Sequence, residues 1–337
     1  CMSTDSFEIM DPVLQTKLHR PPLSADLVRR EDLIALLDRE RSRPLTLVSA
    51  PAGYGKSLLV SSWLEHTDWP SIWLSLDVDD SELRIFLIYV VAALHDTFAG
   101  VCTQTQNLLK AAELPSVSTL ASVLSNELDA NEQPFILVLD DYHRINAGQP
   151  VHDLLERLLA HPPIPLHLVI VSRLDPPLSL ARQRALGQLT DIRLLDLKFS
   201  RAETEQLLQK SFGSDASDAA LDNLDSELEG WVVGLKLVAL AMRNTSDPND
   251  LLARFHGGTR EMQAYLVGEV LNALPEELRK CLTRSALLER FCAPLCDAVC
   301  GKAQSGSAFL HSAYSENLFL IPLDSRGEWF RYHHLFQ

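Results

Sequence analysis

Residues 45–57 read Leu45-Thr46-Leu47-Val48-Ser49-Ala50-Pro51-Ala52-Gly53-Tyr54-Gly55-Lys56-Ser57, and this stretch decides the fold. An apolar run of strand length leads into a tight turn with two glycines. A helical pattern then opens on Gly-Lys-Ser, which is the layout of a phosphate-binding loop. Small residues let backbone N–H groups curl around a phosphate, and the helix that follows presents its positive N-terminal end. Lys56 is placed to reach the β- and γ-phosphates, and the Ser57 hydroxyl to hold Mg²⁺. Pro51, Ala52, Gly53, Tyr54, Gly55 and Leu58 complete the nucleotide-binding segment. The usual G-x-x-x-x-G-K-[ST] pattern starts with glycine, where this chain has Ala50. A short side chain at a strand end fits there, because Gly53 and Gly55 still supply the turn.

Working outward, the run Phe135-Ile136-Leu137-Val138-Leu139 is a second buried strand, closed by Asp140 and Asp141. Ligands collect at the C-terminal ends of strands in open α/β sheets. Asp140 is therefore the candidate to bind Mg²⁺, directly or through water, and Asp141 to orient or deprotonate an attacking water. Another strand, Leu166 to Ser172, ends before Arg173, which at that edge could contact a γ-phosphate and sense whether ATP or ADP is bound. Asp77 and Asp79 follow the strand 71–76 at the same edge and are further candidates to shape the nucleophile site. Helical spacing at 27–39, 58–64, 81–97, 117–126 and 151–159 separates these strands, and 191–196 reads as a short additional one. Strands alternating with helices predict an α/β fold, a parallel sheet with helices on both faces.

From Ser200 the pattern changes. Ser200-x-x-Glu203 is a capping box opening a helix, and amphipathic helices follow at 221–228, 232–242, 263–271 and 275–288. Strand patterns return only at 318–323 and 329–332, across an Asp324-Ser325-Arg326-Gly327 turn. A hairpin after helices is how a winged-helix unit is laid out. The expected division is an N-terminal extension (1–27), a P-loop nucleotide-binding domain (28–197), a helical domain (198–262) and a winged-helix domain (263–337). The chain stops without a turn or capping signal, so a piece of something longer is expected.

The 337 residues carry 46% apolar and 22% charged side chains, ordinary for a soluble globular protein. A formal net charge of −15 sets the surface against nucleic acid, and no convincing basic patch offsets it. The longest apolar run, Ile85 to Leu94, is too short to span a bilayer, and the polar, acidic start does not resemble a signal peptide. A cytoplasmic location is expected. Of six cysteines, Cys292, Cys296 and Cys300 share a helical spacing. They read as buried packing residues rather than metal ligands, with no disulfide expected in that compartment.

Taken together, the motifs resemble the nucleotide-binding module of MalT-type regulators, within the STAND class of signal-transduction NTPases. The matching pieces are Lys17-Leu18 with Pro21-Pro22, Leu27-Val28-Arg29-Arg30, the loop 49–57, Trp73-Leu74-Ser75-Leu76-Asp77 and Leu137 to His143. They continue with Ser172-Arg173, Glu229-Gly230-Trp231-Val232-Val233-Gly234-Leu235 and Arg331-Tyr332-His333-His334-Leu335-Phe336. The resemblance implies a winged-helix domain closing over the nucleotide in a switch that rests with ADP and opens with ATP and an inducer. It implies that Leu27, Val28 and Arg29 line the adenine pocket and that His333 touches the ADP phosphates. The Gly230-Trp231 turn would approach the adenine, although Val233 stands where many STAND members have proline. Cofactors implied are ATP/ADP and Mg²⁺. Partners implied are a small-molecule or protein inducer and further copies of the chain when active. DNA would be bound only through a C-terminal domain absent from this chain, and no membrane is involved.

The leading expectation is thus an ATP/ADP-binding switch with slow hydrolysis, the regulatory module of a transcription activator. The alternatives are a P-loop ATPase or kinase in its own right, and a nucleotide-controlled assembly scaffold without DNA binding.

Overall fold

β-branched and leucine-rich runs without charge can only be covered on both faces, and here they are. The computed structural model describes residues 13–98, 100–212, 217–242, 264, 268, 271, 274–300, 306–315, 320–324 and 326–332. Strands β1 (Leu45–Ser49), β3 (Phe135–Asp140) and β4 (Leu166–Ser172) are buried at every position. With β2 (Ser71–Ser75) and β5 (Leu189–Ile192) they form one sheet in the order β2-β3-β4-β1-β5. Every neighbouring pair is parallel.

Side chains alternate across the sheet with the two-residue period of a strand. Val48, Ile136, Val138, Val169 and Val171 face α1 (Glu31–Arg39) and α2 (Lys56–Leu64). Leu45, Leu47, Leu137, Leu139 and Ile170 face α3 (Leu83–Thr97), α4 (Thr103–Leu109), α5 (Val117–Asp129) and α6 (Pro150–Ala160). The order carries a consequence for chemistry. β4 lies between β1 and β3, so the ends of the phosphate-loop strand, the Arg173 strand and the double-carboxylate strand stand side by side at one edge.

The expected strand at 191–196 is displaced. Leu189 to Ile192 pair with Leu45 to Val48, and the Arg193 N–H then donates to the Asp196 carboxylate at 2.8 Å. That bond turns the chain into the short helix α8 (Leu194–Leu197), preceded by α7 (Leu180–Ala185). The capping box forms as expected: Ser200 N–H donates to Glu203 Oε2 at 2.8 Å and Glu203 N–H to Ser200 Oγ at 3.3 Å. It opens α9 (Arg201–Phe212), followed by α10 (Asp218–Leu228) and α11 (Val232–Met242).

Beyond them lie helices Glu276–Ser285, Ala293–Cys300 and Gly306–Ser315, then an antiparallel hairpin of β6 (Leu320–Pro322) and β7 (Phe330–Tyr332). The Asp324 carboxylate shapes the hairpin loop by accepting from the N–H groups of Arg326, Glu328 and Trp329 at 3.0–3.1 Å. The helix expected at 263–271 lies almost wholly outside the described residues. One apolar core runs from Val48 and Trp63 through Leu224, Trp231 and Leu235 to Phe291, Phe330 and Tyr332. Sheet, helical segment and hairpin therefore share buried surface.

The cysteine expectation needs correction. Cys281 and Cys300 form a disulfide, with Cα atoms 5.1 Å apart. Helices Glu276–Ser285 and Ala293–Cys300 pack as neighbours, and this brings together two positions 19 residues apart that no local spacing pairs. Cys296 is buried and free, as expected, and Cys292 is free and half-buried.

Candidate nucleotide-binding site

The loop between β1 and α2 takes its shape from residues that tolerate left-handed backbone, with φ of +84° at Gly53 and +75° at Gly55. Three successive carbonyls of this loop each accept a hydrogen bond. Lys56 Nζ donates to Pro51 O at 2.9 Å, Trp231 Nε1–H to Ala52 O at 3.1 Å, and Val233 N–H to Gly53 O at 3.0 Å. With its carbonyls engaged, the loop keeps its N–H groups for an anion at the mouth of α2.

Across the end of β4, Ser57 Oγ donates to Asp140 Oδ1 at 2.9 Å, and Asp141 N–H donates to the same oxygen at 3.0 Å. Asp141 sits at a left-handed φ of 56°, which turns the chain immediately after the strand. Its carboxylate stands 3.9 Å from His143 Nδ1, and Arg173 N–H approaches that nitrogen at 3.5 Å. The sheet thus brings Lys56, Ser57, Asp140, Asp141 and Arg173 to one edge, where separate sequence motifs had placed them.

Burial tunes these groups. Asp140 is 5% exposed, and its acid is pushed up to about 6 by burial and then by the Asp141 charge. Lys56 is brought down to about 8 by burial and by the neighbouring Arg173 charge. His143 is lowered to about 3 by burial and by Arg173, which keeps its imidazole neutral at ordinary pH. Buried Lys56 and Asp140 stand beside the more exposed Asp141 and Arg173, an arrangement that an added polyphosphate and a divalent ion would complete.

Beside the loop, a narrow cleft is lined by Leu27, Val28, Tyr54, Leu58, Phe199 and Val232. These side chains are flat or branched and apolar, and Arg30 and Lys236 line the cleft with them. Ser62 also lines the cleft, and its buried Oγ lacks a hydrogen-bond partner. Leu27 and Val28 both line this cleft. Arg29 turns outward instead, its guanidinium on His66 at 2.7 Å and near Glu31 at 3.4 Å. Arg30 replaces it at the cleft: it donates to the carbonyls of Asp196, Leu197 and Lys198 and pairs with Glu203. His333 lies outside the described residues.

Asp77 and Asp79 are engaged in a turn of their own. Asp77 caps a short turn, and with fully buried Asp80 it holds Lys17 Nζ, at 2.9 Å and 2.6 Å. Sequence reading missed this pair because Lys17 lies 63 residues away. It likewise missed the contacts of Trp231 with the loop, although Gly230-Trp231 had stood out as a motif.

Among the described residues no group of three or more His, Cys, Asp or Glu is placed to hold a metal ion. The Ser57–Asp140 pair still suits Mg²⁺, an ion commonly held by one or two protein oxygens together with substrate phosphates. No helix among the described residues is long and apolar enough to cross a membrane.

Comparison with known proteins fits this geometry. Residues 27–171 match the model of the AAA ATPase domain, and residues 267–337 that of the MalT winged helix domain. The chain is 34% identical over 326 residues to the HTH-type transcriptional regulator MalT of Cronobacter sakazakii, and 33% identical to that of Klebsiella pneumoniae. Each alignment covers 96% of this chain and 36% of the relative, so the chain spans about a third of those proteins. Among solved structures, a STAND protein with a tetratricopeptide repeat sensor from Pyrococcus horikoshii is 15% identical, with a TM-score of 0.47 over 94% of this chain and 42% of that one. The RuvB branch migration motor of Thermotoga maritima is 14% identical, with a TM-score of 0.42 over 93% and 95%. Those two scores are too low to add to the reading. The chain thus resembles MalT regulators, with a match to the AAA ATPase domain ahead of a match to the MalT winged helix domain.

Proposed function

We propose that this module is a nucleotide-dependent switch: it binds ADP or ATP in the loop 51–58, hydrolyses ATP slowly, and controls a transcription activator. The observation that carries the reading is the Ser57–Asp140 hydrogen bond, which joins the loop to the carboxylate strand across β4. In this reading Lys56 and the loop N–H groups bind the β-phosphate. Leu27, Val28 and Tyr54 clasp the base, and Ser62 meets its edge. Asp141 holds the attacking water and takes its proton, and Arg173 reports the γ-phosphate. Mg²⁺, when bound at Ser57 and Asp140, would neutralise phosphate charge.

Three features favour a switch over a turnover enzyme. The cleft is walled by the helical segment as well as by the sheet domain. The hairpin is tied to that same segment through Arg331 and Glu229. The relatives that align over 96% of this chain are regulators by name. Dependence on an inducer, self-association in the active form, DNA contact through a part of the protein beyond this chain, and a cytoplasmic location all follow from the same proposal. Denaturing the freshly purified protein and identifying any nucleotide released tests it. Stoichiometric ADP would support a locked resting state. Rapid multiple turnover of ATP without inducer would refute a switch and favour an enzyme.

A further inference from the structure

We propose that Trp231 and Val233 are positioning residues for the nucleotide phosphates, so that the helical segment is a working part of the phosphate loop. The inference rests on the reading of 51–58 as that loop. Trp231 is fully buried, and its indole N–H ends on Ala52 O. Two residues later the Val233 N–H ends on Gly53 O at 3.0 Å. Contact is close enough to dictate sequence. A Cβ added at Gly53 would lie 2.5 Å from the indole nitrogen and 3.1 Å from Val233 Cβ. Glycine at 53 is therefore required by the tryptophan as well as by the turn.

The chemistry follows from which groups are engaged. Each peptide unit fixes its carbonyl and the next N–H together, since the unit is planar. Anchoring the carbonyls of Ala52 and Gly53 orients the N–H groups of Gly53 and Tyr54. Donors fixed in advance bind an anion without first being ordered. The same fact works in reverse. If the helical segment docks better on a loop already shaped by phosphate, the nucleotide must bind better when the segment is docked. The polyphosphate and the helical segment are then linked through two hydrogen bonds, with no contact between them.

Val233 is the second residue of α11, where an N–H has no partner inside the helix. Its bond to the loop is thus additional to the helix, and proline there would remove it at the first turn, where proline is tolerated.

The test is calorimetric titration of MgADP into wild type, Trp231→Phe, Val233→Pro and Lys56→Ala, with hydrogen exchange of the wild type alongside. Phenylalanine keeps an aromatic ring and removes the indole donor together with part of the buried volume, whereas Val233→Pro removes a donor without emptying the core. The expected result is a Kd raised roughly fivefold to twentyfold in each of the first two variants, the loss of one buried hydrogen bond. In wild type, MgADP should slow exchange of the Val233 amide, which a purely structural contact would leave unchanged. Should Trp231→Phe fail to fold, Val233→Pro and the exchange measurement decide. Unchanged affinity in the folded variants, or an amide indifferent to MgADP, overturns the inference while loss of binding in Lys56→Ala leaves the loop assignment standing. If wild type itself binds no nucleotide, both fall together.

Discussion

Glu229 and Arg331 form a two-pronged ion pair, Nη1 to Oε1 at 2.8 Å and Nη2 to Oε2 at 3.1 Å, between the turn before α11 and the C-terminal hairpin. Lys198 Nζ joins the same carboxylate at 3.1 Å. Glu229 is held at a left-handed φ of 46°, two residues ahead of Trp231, which in turn touches the phosphate loop. The pairing therefore fastens the hairpin to the helical segment and to the end of the sheet domain.

Glu229→Gln should loosen that fastening. One partly buried carboxylate serving two cations, with a planar guanidinium on both oxygens, is worth about 1–2 kcal/mol here. Hydrogen exchange across 320–332 should accelerate roughly tenfold, with the sheet amides unaffected. Unaltered protection of the hairpin would show that packing of Phe291, Phe330 and Tyr332 alone holds it.

Asp141→Asn keeps the size of the side chain and removes the base. ATP affinity should stay within about threefold, because the phosphate contacts assigned to Lys56 and the loop N–H groups are kept, while single-turnover hydrolysis slows by about 100-fold. Undiminished hydrolysis would remove Asp141 from its proposed role.

His167 gives the protein an acid limit. Its ring is 1% exposed, bonded to Thr46 Oγ1 and to the Arg43 carbonyl, and burial lowers its pKa to about 4. An unfolded histidine titrates near 6.5, so on acidification the unfolded chain takes up a proton that the folded chain refuses. Stability should be full above about pH 6.5 and fall by on the order of 2–3 kcal/mol as pH drops towards 4. His167→Gln should flatten that slope in urea melts. A variant with the wild-type slope would place the acid sensitivity elsewhere.

Reduction of the Cys281–Cys300 bond should lower the thermal midpoint. Closing a 19-residue separation restricts the unfolded chain, an effect of about 3 kcal/mol in the loop-entropy description. The test is differential scanning calorimetry with and without reductant, using Cys281→Ser/Cys300→Ser as control. A control that still shifts on reduction would rule out this bond as the cause.

The parts of the site that sequence made legible are those whose chemistry is local. Gly53, Gly55, Lys56 and Ser57 sit within one turn, and Asp140 and Asp141 close an apolar run whose length alone marks a buried strand. The parallel sheet followed from the alternation of such runs with helices. What stayed hidden depends on distant pairing. Lys17 reaches Asp80 only because the extension packs on β2, and Trp231 meets Ala52 across 179 residues. Cys281 meets Cys300 only through helix packing. Arg29 and Arg30 are adjacent and chemically alike, so no motif reveals that the first faces His66 and the second faces the cleft. β5 starts two residues and ends four residues earlier than its own pattern suggests, because its register is set by β1.

The central claim is that the loop from Pro51 to Leu58 holds a nucleotide. Calorimetric titration of MgADP and MgATP into wild type and Lys56→Ala tests it most directly. Lys56 is 8% exposed and reaches the loop from within, so its loss removes charge-assisted contacts to phosphate and should weaken both nucleotides on the order of 100-fold or more. Equal affinities in a folded Lys56→Ala protein would contradict the claim.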